Sequence, residues 1–481
     1  MKRCDPEGAV GRRQSGIQRL KASATSGPLA AAPTRHAVYL DHLLSTLDPI
    51  LAAAALSRQT RRRAILTRVR PRLILVLIGL LALSVAAGCG TPAPTTLSPT
   101  TTTSLPATTT TTLSKAQITL EGMSLREKAA QVFLFSISGT DLSESTVELL
   151  DAGPPGGILL MGGNCQGADQ IRSLTSALQE TASRPGFTFG LIIAVDQEGG
   201  TVQRIKNGAP TIPSARSLGD DSTPVEAALI AENTAIALLG MGVNMNLAPV
   251  ADVVSNDDSF LYSRTYSSDP AVTSSFVSAV TDAYQSAGLI SVVKHFPGHG
   301  SATGDTHKGA VTSSADQATF TATHLPPFKA AIDTGVEGMM MSLVIANAYD
   351  RENPAFLSSA IVRGLARRTL GFQGIVLTDD LFMAAAQSEP SSKGVVESQA
   401  AVAALNAGCD LLILTETTAR KKAAIDAVVT AVNEGTLSEG RLDNAVLRIL
   451  ELKARYEILA PAQTTRAPIT STTIISESAA P

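Results

Sequence analysis

Three of the six histidines in this 481-residue chain lie in one segment, KHFPGHGSATGDTHKGAV, at Lys294–Val311. They are His295, His299 and His307. Pro297 and Gly298 lie between the first two and Gly300 follows them, so these imidazoles do not share a helix face as paired zinc ligands would. No Cys or Glu is placed nearby to complete a metal site. We therefore expect no metal or cofactor, and we interpret His295 as a group that binds a ligand.

His307 follows Asp305 by two residues in a loop rich in Gly and Thr. An Asp close to a His can hold one ring nitrogen and raise the basicity of the other, which makes the imidazole a mobile acid/base. The chain has no G-x-S-x-G elbow for a serine nucleophile. A carboxylate is available instead, because Asp379 follows Thr378 at the end of an apolar run. A carboxylate nucleophile with a separate acid/base is the arrangement of retaining glycoside hydrolysis.

Other charged residues also stand where apolar runs end. They are Asp196 in DQEGG, Asp252 in PVADV, and the pair Lys294 and His295. The C-terminal ends of parallel barrel strands meet at one rim, where barrel enzymes place their chemistry. The pattern therefore predicts one site built from these side chains and Asp379.

The elements that must position them are eight short apolar runs separated by amphipathic helical stretches. The runs are Val132–Ser136, Gly157–Met161, Leu191–Asp196, Asn244–Val253, Ser291–Phe296, Gly338–Ile345, Gly374–Asp380 and Cys409–Leu414. They are continuously apolar, as strands buried on both faces should be. Their number and order predict an α/β fold, a single (β/α)₈ TIM-type barrel domain over residues 118–459. A doubly wound open sheet is the alternative.

Charge divides the chain unevenly. Residues 1–72 carry 14 Lys and Arg against 4 Asp and Glu, whereas the rest carries 25 against 38. A basic head can bind nucleic acid, but an uncharged stretch, Leu73–Gly88, follows it directly. A basic run, an apolar core and small residues are the parts of a secretion signal. We therefore expect no nucleic acid partner and interpret residues 1–72 as an extension, disordered or ahead of the true start.

Cys89 follows Ala-Ala-Gly at the end of this apolar stretch. The arrangement resembles a lipobox, in which cleavage exposes a cysteine that carries lipid, so residues 73–89 predict an exported protein with a membrane lipid anchor on the extracytoplasmic face. The alternative is an uncleaved membrane anchor. Residues 90–117, rich in Thr and Pro, predict an extended linker, and residues 460–481 predict a disordered tail. Cys165 and Cys409 could pair, but their spacing does not decide it.

Several motifs in the barrel region together resemble glycoside hydrolase family 3, and within it the β-N-acetylglucosaminidases that act on peptidoglycan fragments. The most specific motif is KHFPGHG at Lys294–Gly300. The supporting motifs, in the order of the family, are DQEGG (196–200), VQR (202–204), LAPVADV (247–253), SRTYSSDP (263–270), DTH (305–307), LPPF (325–328), TDDLFM (378–383) and ALNAGCD (404–410).

The resemblance implies a role for each matching position. Asp379 corresponds to the nucleophile, and His307 to the general acid/base supported by Asp305. The residues that correspond to those holding the N-acetylglucosamine hydroxyls are Asp196, Arg204, Arg264, Lys294 and His295. Carboxylate and guanidinium groups suit this task because each can bind two neighbouring hydroxyls. Asp380, next to the nucleophile, is interpreted as structural.

Two positions depart from the family pattern, since Thr201 stands where Arg is usual and Phe382 where Ser is common. Both leave the reaction type intact and open the question of which aglycone is preferred. The expected function is release of terminal N-acetylglucosamine from β-linked cell-wall fragments through a glycosyl-Asp intermediate. A phosphorylase of the same fold and a non-catalytic sugar-binding lipoprotein are the alternatives.

Overall fold

The computed structural model describes residues 113–183, 188–302, 304, 311–386 and 393–460. The predicted lipidation site Cys89 and the predicted acid/base pair Asp305 and His307 lie outside these residues, as do the signal-like segment, most of the linker and the tail. None of the helices in the described part of the chain is long and apolar enough to cross a membrane.

Eight parallel strands form the core of the described chain. In chain order β1 to β8 are Phe133–Ser136, Gly157–Leu160, Ile192–Val195, Met245–Asn246, Ile290–Phe296, Gly338–Met341, Ile375–Leu377 and Leu412–Leu414. From β1 to β7 each strand pairs with the next along the chain, and β8 returns to pair with β1. This order has no reversal of direction through the sheet, which excludes the doubly wound alternative.

The barrel closes between β7 and β8. Leu377 and Leu411 form a parallel bridge, the N–H of Thr378 donates to the carbonyl of Leu411 at 3.0 Å, and the N–H of Asp410 donates to the carbonyl of Val376 at 2.8 Å. The sheet is therefore a nearly closed eight-stranded parallel barrel, and the predicted (β/α)₈ class is confirmed.

Helices connect the strands. The α-helices are Lys115–Glu121, Leu125–Gln131, Glu144–Asp151, Ala168–Ala182, Ala215–Asp221, Pro224–Gly240, Pro270–Ser286, Gln317–Thr319, Leu325–Asp333, Leu381–Ala386, Lys393–Ala407, Thr418–Asn433 and Glu439–Arg455. Short 3₁₀ turns lie at Gly162–Asn164, Tyr262–Arg264 and Ala355–Leu357, and wider π-helical turns at Phe320–His324 and Ala360–Thr369. Two pairs of short strands stand outside the barrel: Gln197–Gly199 with Val202–Gln203, and Thr312–Ser313 with Ile345–Ala346.

The first described helix begins earlier than the predicted domain boundary at residue 118. Ser114 and Gln117 form a reciprocal capping box: Ser114 N–H donates to Gln117 Oε1 at 2.7 Å, and Gln117 N–H donates to Ser114 Oγ at 3.2 Å. A capping box satisfies two free donors at once and so starts a helix strongly. The last three residues of the predicted linker are therefore helical.

The fourth predicted strand, Asn244–Val253, is wrong in its length. Only Met245–Asn246 has strand pairing on both sides. Beyond it the chain contains Pro249, which has no N–H for a ladder. The segment forms one isolated β-bridge to β5, between Val250 and Lys294, and individual backbone hydrogen bonds such as Lys294 N–H to the carbonyl of Pro249 at 3.2 Å. This irregular segment carries Asp252 into the interior, where its side chain is fully buried.

Cys165 and Cys409 are both free and form no disulfide with each other. Cys409 is buried and its thiol donates to the carbonyl of Phe356 at 3.3 Å, whereas Cys165 is half-buried and its thiol donates to the carbonyl of Met161 at 3.5 Å. Each thiol therefore has its own local acceptor in the barrel domain.

Candidate active site

A cavity of about 590 Å³ opens at the C-terminal ends of the barrel strands. Six of the predicted site residues line it: Asp196, Arg204, Arg264, Lys294, His295 and Asp379. Asp196 follows β3, Lys294 and His295 lie in β5, and Asp379 follows β7. The structure thus brings these six residues together at one rim of the barrel. Asp252, which the sequence pattern also places at the rim, does not line the cavity and contacts His295 from the interior.

Two carboxylates and two cations form a buried cluster on one side of the cavity. Lys294 Nζ lies 2.6 Å from Asp196 Oδ1 and 2.7 Å from Glu198 Oε1. Arg264 donates from Nε and Nη2 to the two carboxylate oxygens of Glu198, each at 2.8 Å. Charges taken out of water are tolerated when such partners surround them, so the four groups neutralise one another.

The electrostatics of this cluster keep Glu198 and Lys294 ionised. Burial acts to raise the pKa of Glu198, but the charges and hydrogen bonds of Lys294 and Arg264 outweigh burial and lower that pKa to about 2. Burial likewise acts to lower the pKa of Lys294, and the neighbouring Asp196 and Glu198 outweigh it, so that this pKa is raised. The cluster therefore offers fixed charges to a ligand across the neutral range.

Asp252 fixes two imidazole-bearing residues from within the barrel. Its Oδ2 accepts from the backbone N–H of His295 at 3.1 Å and lies 2.8 Å from the ring nitrogen Nδ1 of the same residue. Its Oδ1 accepts from the backbone N–H of His299 at 2.5 Å. Burial would raise the pKa of Asp252, but its hydrogen bonds to these two residues and their charges lower it. With Nδ1 donating to the carboxylate, His295 presents Nε2 as its other ring nitrogen.

The two glycines of the KHFPGHG motif pack tightly against neighbouring segments. Gly298 has a φ of +122°, and a Cβ there would lie 2.7 Å from Cβ of His324. At Gly300 a Cβ would lie 1.8 Å from the carbonyl oxygen of Val253. Close backbone approach is therefore the reason for glycine at both positions.

Asp379 and Asp380 face different partners. Asp379 accepts one hydrogen bond among the described residues, at Oδ1 from the N–H of Asp380 at 2.8 Å. Asp380 accepts from the N–H groups of Phe382 and Thr415, each at 3.1 Å, and from the hydroxyl of Thr415. Burial raises the pKa of Asp380 to about 6, against the effect of these hydrogen bonds. Within the described residues, Asp379 is thus the carboxylate with fewer hydrogen-bond partners, and it lines the cavity.

Arg204 contributes a further cation to the cavity wall. The backbone N–H of Arg204 donates to the backbone carbonyl of Asp196 at 3.3 Å. This hydrogen bond connects the short hairpin after β3 to the end of that strand. Within the described residues its buried Nε has no hydrogen-bond partner. A buried donor without a partner lowers the stability of the folded state. Nε of Arg204 is therefore available to donate to an acceptor in the cavity.

Three lining or supporting residues were not predicted as site residues from the sequence: Glu198, His299 and Thr415. Asp252 is expected at the rim, and the structure places it in the interior. Glu198 lies in the DQEGG motif and Asp252 in LAPVADV, so a signal existed for both. Their partners are 66 and 43 residues away, and no short-range pattern indicates those pairs. Thr201 and Phe382 also line the cavity and are exposed.

These groups suit a ligand with many hydroxyls. Charged donors and acceptors line the cavity together with the Asp379 carboxylate. Such groups form charge-assisted hydrogen bonds to hydroxyls, which are stronger than those between neutral groups. Within the described ranges, no group of three or more His, Cys, Asp or Glu side chains is arranged to hold a metal ion. The fold and the site define the class of the protein as a barrel enzyme that acts on a sugar.

Comparison with known proteins identifies the family. The family model for the glycosyl hydrolase family 3 N-terminal domain matches residues 124–452. A beta-hexosaminidase from Nitrosomonas eutropha is 34% identical over 287 residues, which cover 58% of this chain and 79% of the relative. The chain belongs to glycoside hydrolase family 3, and it is a glycoside hydrolase, as the sequence predicts.

Solved structures agree with this assignment. A glycoside hydrolase family 3 beta-N-acetylglucosaminidase from Paenibacillus is similar with a TM-score of 0.67 and 31% identity, covering 74% of this chain and 66% of that one. A beta-N-acetylhexosaminidase from Beutenbergia cavernae is similar with a TM-score of 0.63 and 27% identity, covering 69% of this chain and 99% of that one.

Proposed function

We propose that this enzyme is a retaining exo-β-N-acetylglucosaminidase that releases terminal N-acetylglucosamine from peptidoglycan-derived fragments. The observation that carries the proposal is the free carboxylate of Asp379 in a cavity whose opposite groups, Asp196, Arg264 and Lys294, are held as fixed charges. A carboxylate nucleophile requires such freedom, and a sugar requires such partners.

In the first step the Asp379 carboxylate attacks the anomeric carbon and the glycosidic C–O bond breaks. The leaving oxygen takes a proton from the imidazolium of His307, which Asp305 supports. In the second step water attacks the anomeric carbon, its proton passes to His307, and the bond to Asp379 breaks. Two displacements at one carbon retain its configuration. The roles of Asp305 and His307 rest on the sequence motif.

The cavity wall supplies the sugar contacts in this proposal. Asp196 accepts from neighbouring hydroxyls and Lys294 donates to them. Arg204 adds a donor, and His295 presents Nε2 to a further hydroxyl. The unpartnered Nε of Arg204 supports this assignment, because a ligand oxygen would satisfy it. The names of the relatives, beta-hexosaminidase and beta-N-acetylglucosaminidase, support N-acetylglucosamine as the sugar.

The test is an assay with a chromogenic aryl β-N-acetylglucosaminide, with and without added phosphate. We expect free N-acetylglucosamine, a β-configured initial product by NMR, and no dependence on phosphate. Sugar 1-phosphate as the product would contradict hydrolysis in favour of a phosphorylase. Binding without turnover would contradict both enzymes, and an α-configured initial product would contradict the retaining mechanism. Release of N-acetylglucosamine from purified muropeptides tests the natural substrate.

We also propose that the mature protein is exported and anchored by lipid at Cys89, on the extracytoplasmic face of the membrane. The support is the order of basic, apolar and small residues ahead of Cys89, and firm anchoring requires more than one acyl chain. Mass spectrometry of the membrane fraction should find a lipid-modified N-terminal Cys89, and Cys89→Ala should abolish that modification. An unmodified Cys89 in that fraction would contradict the anchor.

A further inference from the structure

His299 is a buried side chain of the cavity wall that the predicted mechanism does not use. It is 4% exposed and lines the cavity. Its ring nitrogen Nε2 is buried and has no hydrogen-bond partner among the described residues. A polar atom left without a hydrogen bond in the interior lowers the free energy of unfolding by roughly 1–3 kcal/mol. A ligand in the cavity could supply the partner that Nε2 lacks.

The surroundings of His299 hold the imidazole in place. The backbone N–H is tied to Asp252 Oδ1 at 2.5 Å, and the ring meets Phe260 edge to face, with centroids 5.2 Å apart and an interplanar angle of 82°. Gly298 and Gly300 on either side pack so closely against His324 and Val253 that no side chain fits there. These contacts fix the segment that carries the imidazole.

The imidazole of His299 is neutral at neutral pH. Burial lowers its pKa, the charge of Asp252 opposes that effect, and the charge of His295 adds to it. Both His299 and Asp379 line the same cavity. A neutral imidazole has one donor and one acceptor nitrogen, and a hydroxyl group can satisfy Nε2 in either tautomer because it both donates and accepts.

A second buried imidazole shows that the cavity is what distinguishes His299. His324 is also 4% exposed and also has an unpartnered ring nitrogen, Nδ1. It does not line the cavity; it packs against Gly298 and Phe320. His324 is therefore a matched control for the burial of an unsatisfied imidazole away from the ligand.

We propose that Nε2 of His299 hydrogen-bonds a hydroxyl group of the sugar in the cavity and so positions its anomeric carbon against Asp379. The inference rests on the proposed function, because it takes the ligand to be N-acetylglucosamine. The contact from His299 adds to the contacts that the proposed function assigns to Asp379 and to the buried charge cluster.

The experiment is a cycle of enzyme and substrate changes. We would measure kcat/KM of the wild type, His299→Leu and His299→Gln on an aryl β-N-acetylglucosaminide and on its 3-, 4- and 6-deoxy analogues. His299→Leu should lose roughly 5–100-fold on the parent glycoside. On the analogue that lacks the partner hydroxyl it should lose less than about threefold, since the contact is already absent. His299→Gln should recover part of the parent activity through its amide.

The controls separate a lost contact from a damaged fold. His324→Leu should show the same relative activity on all four glycosides, whatever its stability. An equal loss for His299→Leu on all four would overturn the proposal and assign His299 a structural role. Calorimetric titration with N-acetylglucosamine and its deoxy analogues repeats the cycle in Kd. If the wild type binds without turnover, the proposed function fails while the Kd cycle still decides the role of His299. If the wild type neither binds nor turns over, both fail.

Discussion

Glu198 and Arg264 form a two-pronged ion pair, in which Nε and Nη2 of the guanidinium each donate to a separate carboxylate oxygen at 2.8 Å. The side chain of Glu198 is 5% exposed and that of Arg264 is 12% exposed. Lys294 approaches the same carboxylate at 2.7 Å. Glu198 therefore balances two of the cations that face the sugar in the proposed function.

Replacing Glu198 with Gln should destabilise the enzyme. The change leaves Arg264 and Lys294 with too little negative charge in a buried site, which costs about 3–5 kcal/mol of unfolding free energy at neutral pH. The pKa of Glu198 is lowered to about 2 from an ordinary value of 4.5. Its contribution is therefore present above about pH 4.5 and is lost as pH falls toward 2. Urea unfolding of wild type and variant between pH 7 and pH 3 should show the difference shrinking.

A surface ion pair provides the control for that measurement. Asp169 and Arg172 are 2.6 Å apart, with side chains 98% and 54% exposed. Asp169→Asn should change the unfolding free energy by less than roughly 1 kcal/mol. A difference for Glu198→Gln that stays constant down to pH 3 would mean that Glu198 acts through packing and not through charge.

Asp379→Asn should remove nearly all turnover, because an amide cannot form the glycosyl ester. We expect a loss on the order of 10⁴–10⁶-fold, the range seen when members of a nucleophilic unit are removed. Asp380→Asn should lose less than roughly tenfold, which is about 1.4 kcal/mol of barrier, since an amide can still bond to Thr415. A 2-deoxy-2-fluoro glycoside inactivator, followed by peptide mass spectrometry, should label Asp379. Label on Asp380 or Asp196 would overturn the assignment.

His307→Ala should slow natural substrates more than activated ones. A natural leaving oxygen needs a proton, so its kcat/KM should fall roughly 10²–10⁴-fold, whereas an aryl glycoside with an acidic phenol should suffer much less in its first step. Asp305→Ala should give the same pattern in weaker form. The comparison is kcat/KM on a disaccharide and on the aryl glycoside for each variant. An equal loss on both would mean that His307 positions the substrate and does not transfer the proton.

We expect the free energy of unfolding to rise with pH above neutrality because the amine of Lys453 is buried. It is 1% exposed, it donates to Gln131 Oε1 at 2.9 Å, and burial lowers its pKa to about 7 from 10.5. Between these values the unfolded chain binds more protons than the folded one, so this group makes stability rise with pH, by at most about 1.4 kcal/mol per pH unit. Lys453→Met should lack that rise and be more stable than the wild type at pH 7.

Chemical unfolding at pH 7, 8 and 9 would check the Lys453 prediction. Lys422 is a suitable control, because it pairs with Glu148 at the surface at 2.7 Å with side chains 33% and 62% exposed. Lys422→Met should keep the wild-type slope. An unchanged slope in Lys453→Met would show that the buried amine is charged throughout this range.

Much of the barrel could be predicted because its signals are local. Runs such as Leu191–Asp196 and Cys409–Leu414 are continuously apolar, and a strand covered on both faces needs no polar alternation. All eight predicted runs overlap a barrel strand. The charged residues that end these runs, including Asp196 and Asp379, could be placed at one rim because parallel barrel strands end on the same side.

The sequence by itself therefore determined the class of fold and which strand ends carry reactive side chains. Only the tertiary structure decided which charged side chains form ion pairs. Lys294 pairs with Asp196, 98 residues away in the sequence, and Arg264 pairs with Glu198, 66 residues away. It also decided that Asp380 is directed to Thr415 while Asp379 is left free. Periodicity reports only whether a residue faces the core or the solvent. The state of a buried charge depends on its neighbours within a few ångströms, and in this barrel those neighbours come from other strands and loops.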